Sequence, residues 1–302
     1  MCRPVVTAPC KYGQLLIIMR YIEFEKIAAV AESLCIEAAH KLPGDVMAAL
    51  ERAVQKETCP TAVKILNQLI ENARIAADEA IPLCQDTGLA VVFVEHGAEV
   101  VVKSDNGKTL FDAINTGVAR GYEKGYLRKS VVAEPLKERK NTGTNTPAII
   151  HHTIVPGDKL SIAIMTKGGG CENKSRFKMF RPTSERSEII DWVVEVVRQA
   201  GADACPPFVV GVGIGGDFEL SCFLSKKALL RKLDEKNKDG FYAKLENDLL
   251  LAVNATGLGP QGLGGDTTAL AVLVETAPCH IASLPVAVNI ECHSHRHSSA
   301  VI

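Results

Sequence analysis

The sequence predicts a mixed α/β fold, with an N-terminal helical region packed on mixed β-sheet lobes and a functional site between the lobes. Three observations predict it. Residues 22–80 repeat apolar side chains at helical spacing. From residue 83 onward the texture changes to short β-branched runs bounded by Gly, Pro, Asn and Asp. Strands and helices then alternate too irregularly for a clean series of βαβ units.

Taken in order, a helical pattern begins near Ile22, and Ile27, Val30 and Leu34 share one face. "LPGDVMAALERAV" restarts a helix with Asp45 as the expected N-cap. "CPTAVKILNQLIENARIAADEA" supplies a third, with Val63, Leu66, Leu69 and Ile70 on its apolar side. "LAVVFVEHG" and "AEVVVKSDNG" read as strands, with a turn at Asn106–Gly107. "KTLFDAINTGVARGYEKGY" is an amphipathic helix. "AIIHHTIVPGDKLSIAIMTKGGG" reads as a β-hairpin turning at Pro156, Gly157 and Asp158. "SERSEIIDWVVEVVRQAG" is a capped helix closed by Gly201. "FVVGVGIGG" is a buried strand entering a glycine loop. Helices are expected around 218–231 and 240–255, and "TTALAVLVE" and "LPVAVNIE" are the last strands. The charge run "RKLDEKNKDG" reads as a solvated helix end and loop. With no internal repeat or low-complexity linker, residues 22–302 read as a single domain. Residues 1–21 read as an extension outside its core, with Met19 as a candidate initiator.

Composition excludes several classes of function. The 302 residues are 47% hydrophobic and 23% charged, enough for a substantial core. A net charge of −1 and only 5% aromatics argue against nucleic acid and membrane surfaces as partners. The apolar runs are too short and Gly-rich for a membrane span, and the N-terminus lacks the features of a signal peptide. Ten cysteines without a tight C-x-x-C pair disfavour both a disulfide scaffold and a zinc ribbon. A reducing cytoplasm is the expected compartment.

Cys84, Cys205 and Cys292 each sit at a strand–loop boundary, in "PLCQDTG", "DACPPFVVGVGIGG" and "VNIECHSHRH". Element ends are where functional side chains converge, and three thiolates suffice to hold an iron–sulfur cluster with one iron free. Taken singly, each thiol reads better as a small, buried, inert hydrophobe than as a ligand. "KGGGCENKS" (167–175) offers either an anion-binding nest, reinforced by Lys167 and Lys174, or a tight turn needing positive φ. "GVGIGGD" fails the dinucleotide spacing, and "GPQGLGG" reads as a structural turn. The C-terminal Cys/His cluster, "CHSHRH" with Cys279–His280, suggests a zinc- or nickel-binding protein as a rival function. The competing reading of His295 and His297 is a frayed, polar end. Asp86 and His280 are the best general acid/base candidates.

Together these motifs resemble the class I iron–sulfur hydro-lyases, the family of class I fumarate hydratases and L-tartrate dehydratases. The resemblance runs from about Phe24 to the C-terminus. It is carried by "PLCQDTG", "YLRKSVV", "KNTGTNTPA", "KGGGCENKS", "ACPPFVVGVGIGG", "GPQGLGG" and "CHIASLPVAVNIECHSHRH". It implies a 4Fe–4S cluster acting as a Lewis acid, with Cys84, Cys205 and Cys292 as its ligands. It implies Gln85, Asp86, Arg128 and the Gly168, Gly169 and Gly170 backbone at the substrate, and His280 reaching a site, either its own or that of a neighbouring subunit. The length matches the alpha subunit of the two-subunit form. The resemblance therefore implies a beta subunit, a small dicarboxylate substrate and a higher oligomer. Reversible hydration of fumarate to (S)-malate is the expected reaction, and L-tartrate dehydration is the alternative. Cys171 departs from the Ser expected in many fumarases, and a fourth thiolate ligand would close the iron that substrate needs.

Overall fold

The computed structural model describes residues 19–105 and 107–302. The first element is a strand, β1 (Arg20–Glu23), which pairs in parallel with β3 (Val100–Lys103). Ile22, expected to open a helix, is instead a buried strand residue, and Arg20 and Tyr21 pair with Val100 and Val101. Helix α1 (Phe24–His40) follows, burying Ile27 and Leu34 as its spacing requires, with Val30 at the margin. In α2 (Gly44–Lys56) the N-cap is Pro43, not Asp45. The Asp45 carboxylate accepts from the Leu233 N–H at 2.8 Å instead, a long-range tie in place of the local cap. Helix α3 (Pro60–Asp78) starts on a proline, whose missing N–H costs nothing in a first turn.

Two four-stranded mixed sheets carry the rest. The first is ordered β10 (His297–Val301), β5 (Leu160–Lys167), β2 (Leu89–Gly97), β4 (Ile149–Val155). The expected hairpin does not form. β2 lies between β4 and β5, parallel to the former and antiparallel to the latter. The reason is the apolar run Ala90–Val94, buried on both faces, which suits a central strand and not an edge. Val92, Val94, Ile162 and Ile164 pack under α1 and under α4 (Leu110–Lys124), a helix opened by a Thr109/Asp112 capping box. Val91, Phe93 and Met165 face the opposite way. Asn106 of the expected Asn106–Gly107 turn lies outside the described residues.

A one-turn helix α5 (Gly169–Glu172) leads from β5 to β6 (Arg176–Phe180). Helix α6 (Arg186–Ala200) ends at Gly201, as expected, with φ 60°. The second sheet is ordered β6, β9 (Leu284–Glu291), β7 (Phe208–Gly216), β8 (Ala269–Cys279). One face, with Val210, Val212, Val274 and Val288, packs on α6 and α8 (Gly240–Asn254). The other receives α7 (Phe218–Ala228), and the glycines of "GVGIGG" show why. A Cβ on Gly211 would stand 2.0 Å from Ser225 O, and one on Gly213 would stand 2.0 Å from Ser221 O. Those glycines let a helix lie against the strand, not a nucleotide. No helix among the described residues is long and apolar enough to cross a membrane.

Candidate active site

The turn before β2 is held by side chains from distant parts of the chain. Tyr122, buried in α4, points its hydroxyl at the Thr87 and Gly88 carbonyls, at 2.9 and 3.1 Å. Asn145 Nδ2 also donates to Gly88 O, at 3.1 Å. Arg296 Nη2 donates to Asp86 O at 2.8 Å. Three consecutive carbonyls are thus fixed by side chains. Thr87 Oγ1 in turn donates to Arg128 O at 3.0 Å, which brings the Arg128 segment beside the turn and leaves its side chain exposed. Gly88 has φ 64°, and a Cβ there would stand 2.0 Å from Lys167 O, so this position admits only glycine.

The Asp86 carboxylate is consequently well placed. Oδ1 accepts from Gly88 N–H at 3.0 Å, and Oδ2 accepts from Gly169 N–H at 2.8 Å, joining the turn to the glycine run. Gln85 next to it is exposed. The glycine run differs from both sequence readings. Gly168 has φ −64°, and Gly169 and Gly170 open α5, so no left-handed residue and no nest of alternating hand is present. A Cβ on Gly168, Gly169 or Gly170 would meet its nearest neighbour at 3.3, 3.8 and 3.6 Å, respectively. These glycines are not enforced by the chain's own packing, and they leave the backbone open to approach. Nor are the two lysines free cations: Lys174 pairs with Asp203 at 3.2 Å, and Lys167 is wholly buried among carboxylates.

Cys84, Cys205 and Cys292 come from the ends of three elements and are free, half-buried thiols. Cys205 lies just before β7 with φ 55°, an uncommon conformation for a residue with a side chain and one that concentrates at functional sites. Its carbonyl accepts from the His293 N–H at 3.2 Å, which ties it to the segment carrying Cys292. Burial, with the nearby Cys84, Cys171 and Asp203, pushes the Cys205 thiol up from its usual range. Neighbouring thiols such as Cys84 and Cys205 resist losing both protons together, and a bound cation would remove that resistance. The donor set therefore fits a soft metal centre. Cys35, by contrast, is a core thiol pushed up to about 12 by burial alone.

Cys171 belongs to a group of possible ligand atoms that includes Cys292. Its Sγ, Cys292 Sγ and a Glu291 carboxylate oxygen lie within 4.8 Å of one another. Lys167 Nζ lies 3.2 Å from both Cys171 Sγ and Glu291 Oε2, and donates to Ile290 O at 2.6 Å. Burial opposes charge on Lys167, but Glu291, Cys171 and Glu172 prevail and keep it protonated. An ammonium thus already compensates this group. The hydrogen bond with Cys292 and the Lys167 charge favour the thiolate on Cys171, while Cys292 holds its proton beside it.

Other sequence candidates separate from this centre. His280 is exposed in the β8–β9 turn, where its Nδ1 accepts from Ala282 N–H at 3.1 Å. Eight residues of β9 lie between that turn and Cys292, roughly 26 Å of strand. His280 and Cys292 are therefore not brought together within one chain, and among the described residues no histidine joins a close group of three possible metal ligands. The C-terminal stretch is not frayed either. His295 and Arg296 are 0% and 1% exposed, and β10 pairs with β5. Sequence reasoning missed Arg296, Tyr122 and Asn145, which bear on Asp86. It also missed Gln261, whose backbone and side-chain N–H groups both donate to Pro206 O beside Cys205, at 2.8 and 2.9 Å.

Comparison with known proteins agrees with this arrangement. Residues 28–301 match a family model described as fumarate hydratase (Fumerase). A protein of Methanocaldococcus jannaschii, "Putative L(+)-tartrate dehydratase subunit alpha", is 41% identical over 274 residues, covering 90% of this chain and 95% of that one. The L(+)-tartrate dehydratase subunit alpha of Escherichia coli strain UTI89 is 30% identical over 273 residues, 90% of this chain and 89% of its own. That of strain K12 is 29% identical over 279 residues, 92% and 91%. The likeness spans both sheets and all three element ends that carry the thiols, so the chain belongs to the fumarate hydratase (Fumerase) family of hydro-lyases.

Proposed function

We propose that this chain is the alpha subunit of a cytoplasmic two-chain fumarate hydratase that interconverts fumarate and (S)-malate, its site completed by a separate beta subunit. The observation that carries the proposal is the Asp86 carboxylate, oriented by two backbone N–H groups in the turn that also carries the free thiol of Cys84. When bound by Cys84, Cys205 and Cys292, a 4Fe–4S cluster would supply a Lewis acid for the hydroxyl that leaves or adds. Asp86 takes up or returns the proton on the neighbouring carbon. Its fixed hydrogen bonds keep the carboxylate aimed without reorganisation. Arg128, exposed on a segment anchored to Thr87, grips a substrate carboxylate through paired N–H donors. Gln85 and the open backbone of Gly168–Gly170 border the same space. His280, exposed at the far end of β9, serves the site of a neighbouring chain in a higher oligomer.

A second reading, L-tartrate dehydration, is favoured by the names of the relatives and by Cys171 in place of serine. Both substrates are small dicarboxylates, and the same residues serve either. Anaerobic co-production with the beta chain, followed by assays on fumarate, mesaconate and L-tartrate, separates the two. About four irons and four sulfides per chain are expected. Stoichiometric zinc without sulfide would refute the hydro-lyase centre. A filled cluster with no hydratase activity would refute the catalytic reading.

A further inference from the structure

Arg296 carries a charge for which the mechanism above has no use. It is 1% exposed, among the most buried large side chains of the protein. Only Nη2 has a partner, the Asp86 carbonyl at 2.8 Å, while the buried Nε and Nη1 have none. The guanidinium also lies close to the glycine run: a Cβ on Gly168 would stand 3.6 Å from Nη2 and 3.3 Å from Asp86 Oδ2. Its charge is felt at Cys292, His293 and Tyr122, so it stands between the Asp86 turn and the thiol-bearing segment. The Arg296 carbonyl accepts from Thr166 N–H at 3.1 Å, one residue before Lys167, which fixes its main chain against β5.

Tyr122 and Asn145 already fix the Thr87 and Gly88 carbonyls through neutral groups. The guanidinium gives the Asp86 carbonyl a charge-assisted hydrogen bond, stronger than one from a neutral amide. A buried, under-used cation is the costly choice, and it is retained where its charge or its rigid fork is used. We infer that Arg296 is a positioning residue for Asp86. Its guanidinium sets the main chain of the turn so that the carboxylate stays on the Gly169 N–H. The inference rests on the acid/base reading of Asp86. It adds a residue that touches no substrate and acts through the turn.

The test uses R296K and R296Q in the alpha chain co-produced with its beta partner, with iron and sulfide measured in each. Expected for R296Q is a fall in kcat of about 10²-fold, within the range of a lost acid/base contribution, with KM changed less than about threefold. R296K is expected to recover part of the loss, and added guanidinium is expected to restore rate to R296A. Independently of turnover, hydrogen exchange read by mass spectrometry should quicken about tenfold or more in peptides covering 84–90 and 168–171, and not in those covering α6 and α8. R296Q with full iron, wild-type kcat and unchanged exchange in those two peptides would overturn the inference. So would uniform quickening across the whole chain, which marks a merely structural residue. If the wild-type complex shows no hydratase activity, the function reading fails, and the exchange experiment still decides whether Arg296 holds the turn.

Discussion

Asp86 is where the chemistry can be probed most directly. In Asp86→Asn the amide oxygen still accepts one backbone N–H, so the turn keeps its shape while the carboxylate is lost. Turnover should fall by about 10²–10⁴-fold with a thermal midpoint within a few degrees of wild type; a fall below threefold would remove Asp86 from the reaction. The thiols divide in the same way. Cys84→Ser, Cys205→Ser and Cys292→Ser should each lower bound iron and sulfide well below wild type, whereas Cys35→Ser should leave loading unchanged and show its cost in stability. Iron and sulfide assays beside denaturant unfolding distinguish the two classes. The turn carrying Cys84 and Asp86 stood out in the sequence because thiol, amide, carboxylate and hydroxyl crowd a glycine turn before an apolar strand. Arg296 was not. In a run of His, Ser and Arg, single residues default to solvent, and only the register of β10 on β5 reveals that this one is enclosed.

Secondary elements followed their periodicity wherever a local rule sufficed. The helices at 110–124 and 186–200 begin at reciprocal caps and bury the stripes that their sequences announce. Partner choice was less legible. β4 and β5 are joined by a turn that suits a hairpin, yet the doubly apolar β2 takes the place between them, because burial on both faces outweighs proximity along the chain. The same competition explains Asp45, which gives up a local cap for a bond to Leu233. At β7 the packing makes a quantitative prediction. Gly213→Ala places a methyl on the Ser221 carbonyl and must push α7 away from the sheet. Overpacking typically costs about 1–3 kcal/mol, and a backbone neighbour gives way least, so the upper end is expected in urea unfolding. Gly240→Ala, whose Cβ meets nothing within 4 Å, is the control and should stay within about 1 kcal/mol.

Across the whole molecule, the buried C-terminal segment sets an acid limit. His295 and His297 stack with ring centroids 4.7 Å apart. Burial, with smaller opposing help from the Leu229 backbone and a push from Lys167, lowers His295 to about 4. Burial and His295 lower His297 to about 3, against a raising influence from Asp45. Both folded values lie below the ordinary histidine range. Below about pH 6.5 the unfolded chain therefore takes up protons that the folded chain refuses. Their contribution is intact above that pH and declines as pH falls towards 4, by roughly 1.4 kcal/mol per pH unit for each histidine. Unfolding midpoints of the cluster-free chain between pH 7 and pH 4.5 should show this slope, and His297→Gln should flatten it. An unchanged slope in that variant would place the acid sensitivity elsewhere.

The bond from Arg296 to Asp86 joins residues 210 positions apart, and Cys205 is tied to His293 across another long interval. Contacts so distant in sequence form late, because the loop they close must first be ordered. The order of events in the cell follows from that. As the protein is made, the first thiol and its carboxylate leave the ribosome long before the strand that disciplines them. Until that strand docks, the turn at Asp86 is an unshaped loop with an accessible cysteine. Completion of the site therefore waits on the C-terminal segment: the turn at Asp86 gains its tie to Arg296, and Cys205 its tie to His293, only once the last strands are made.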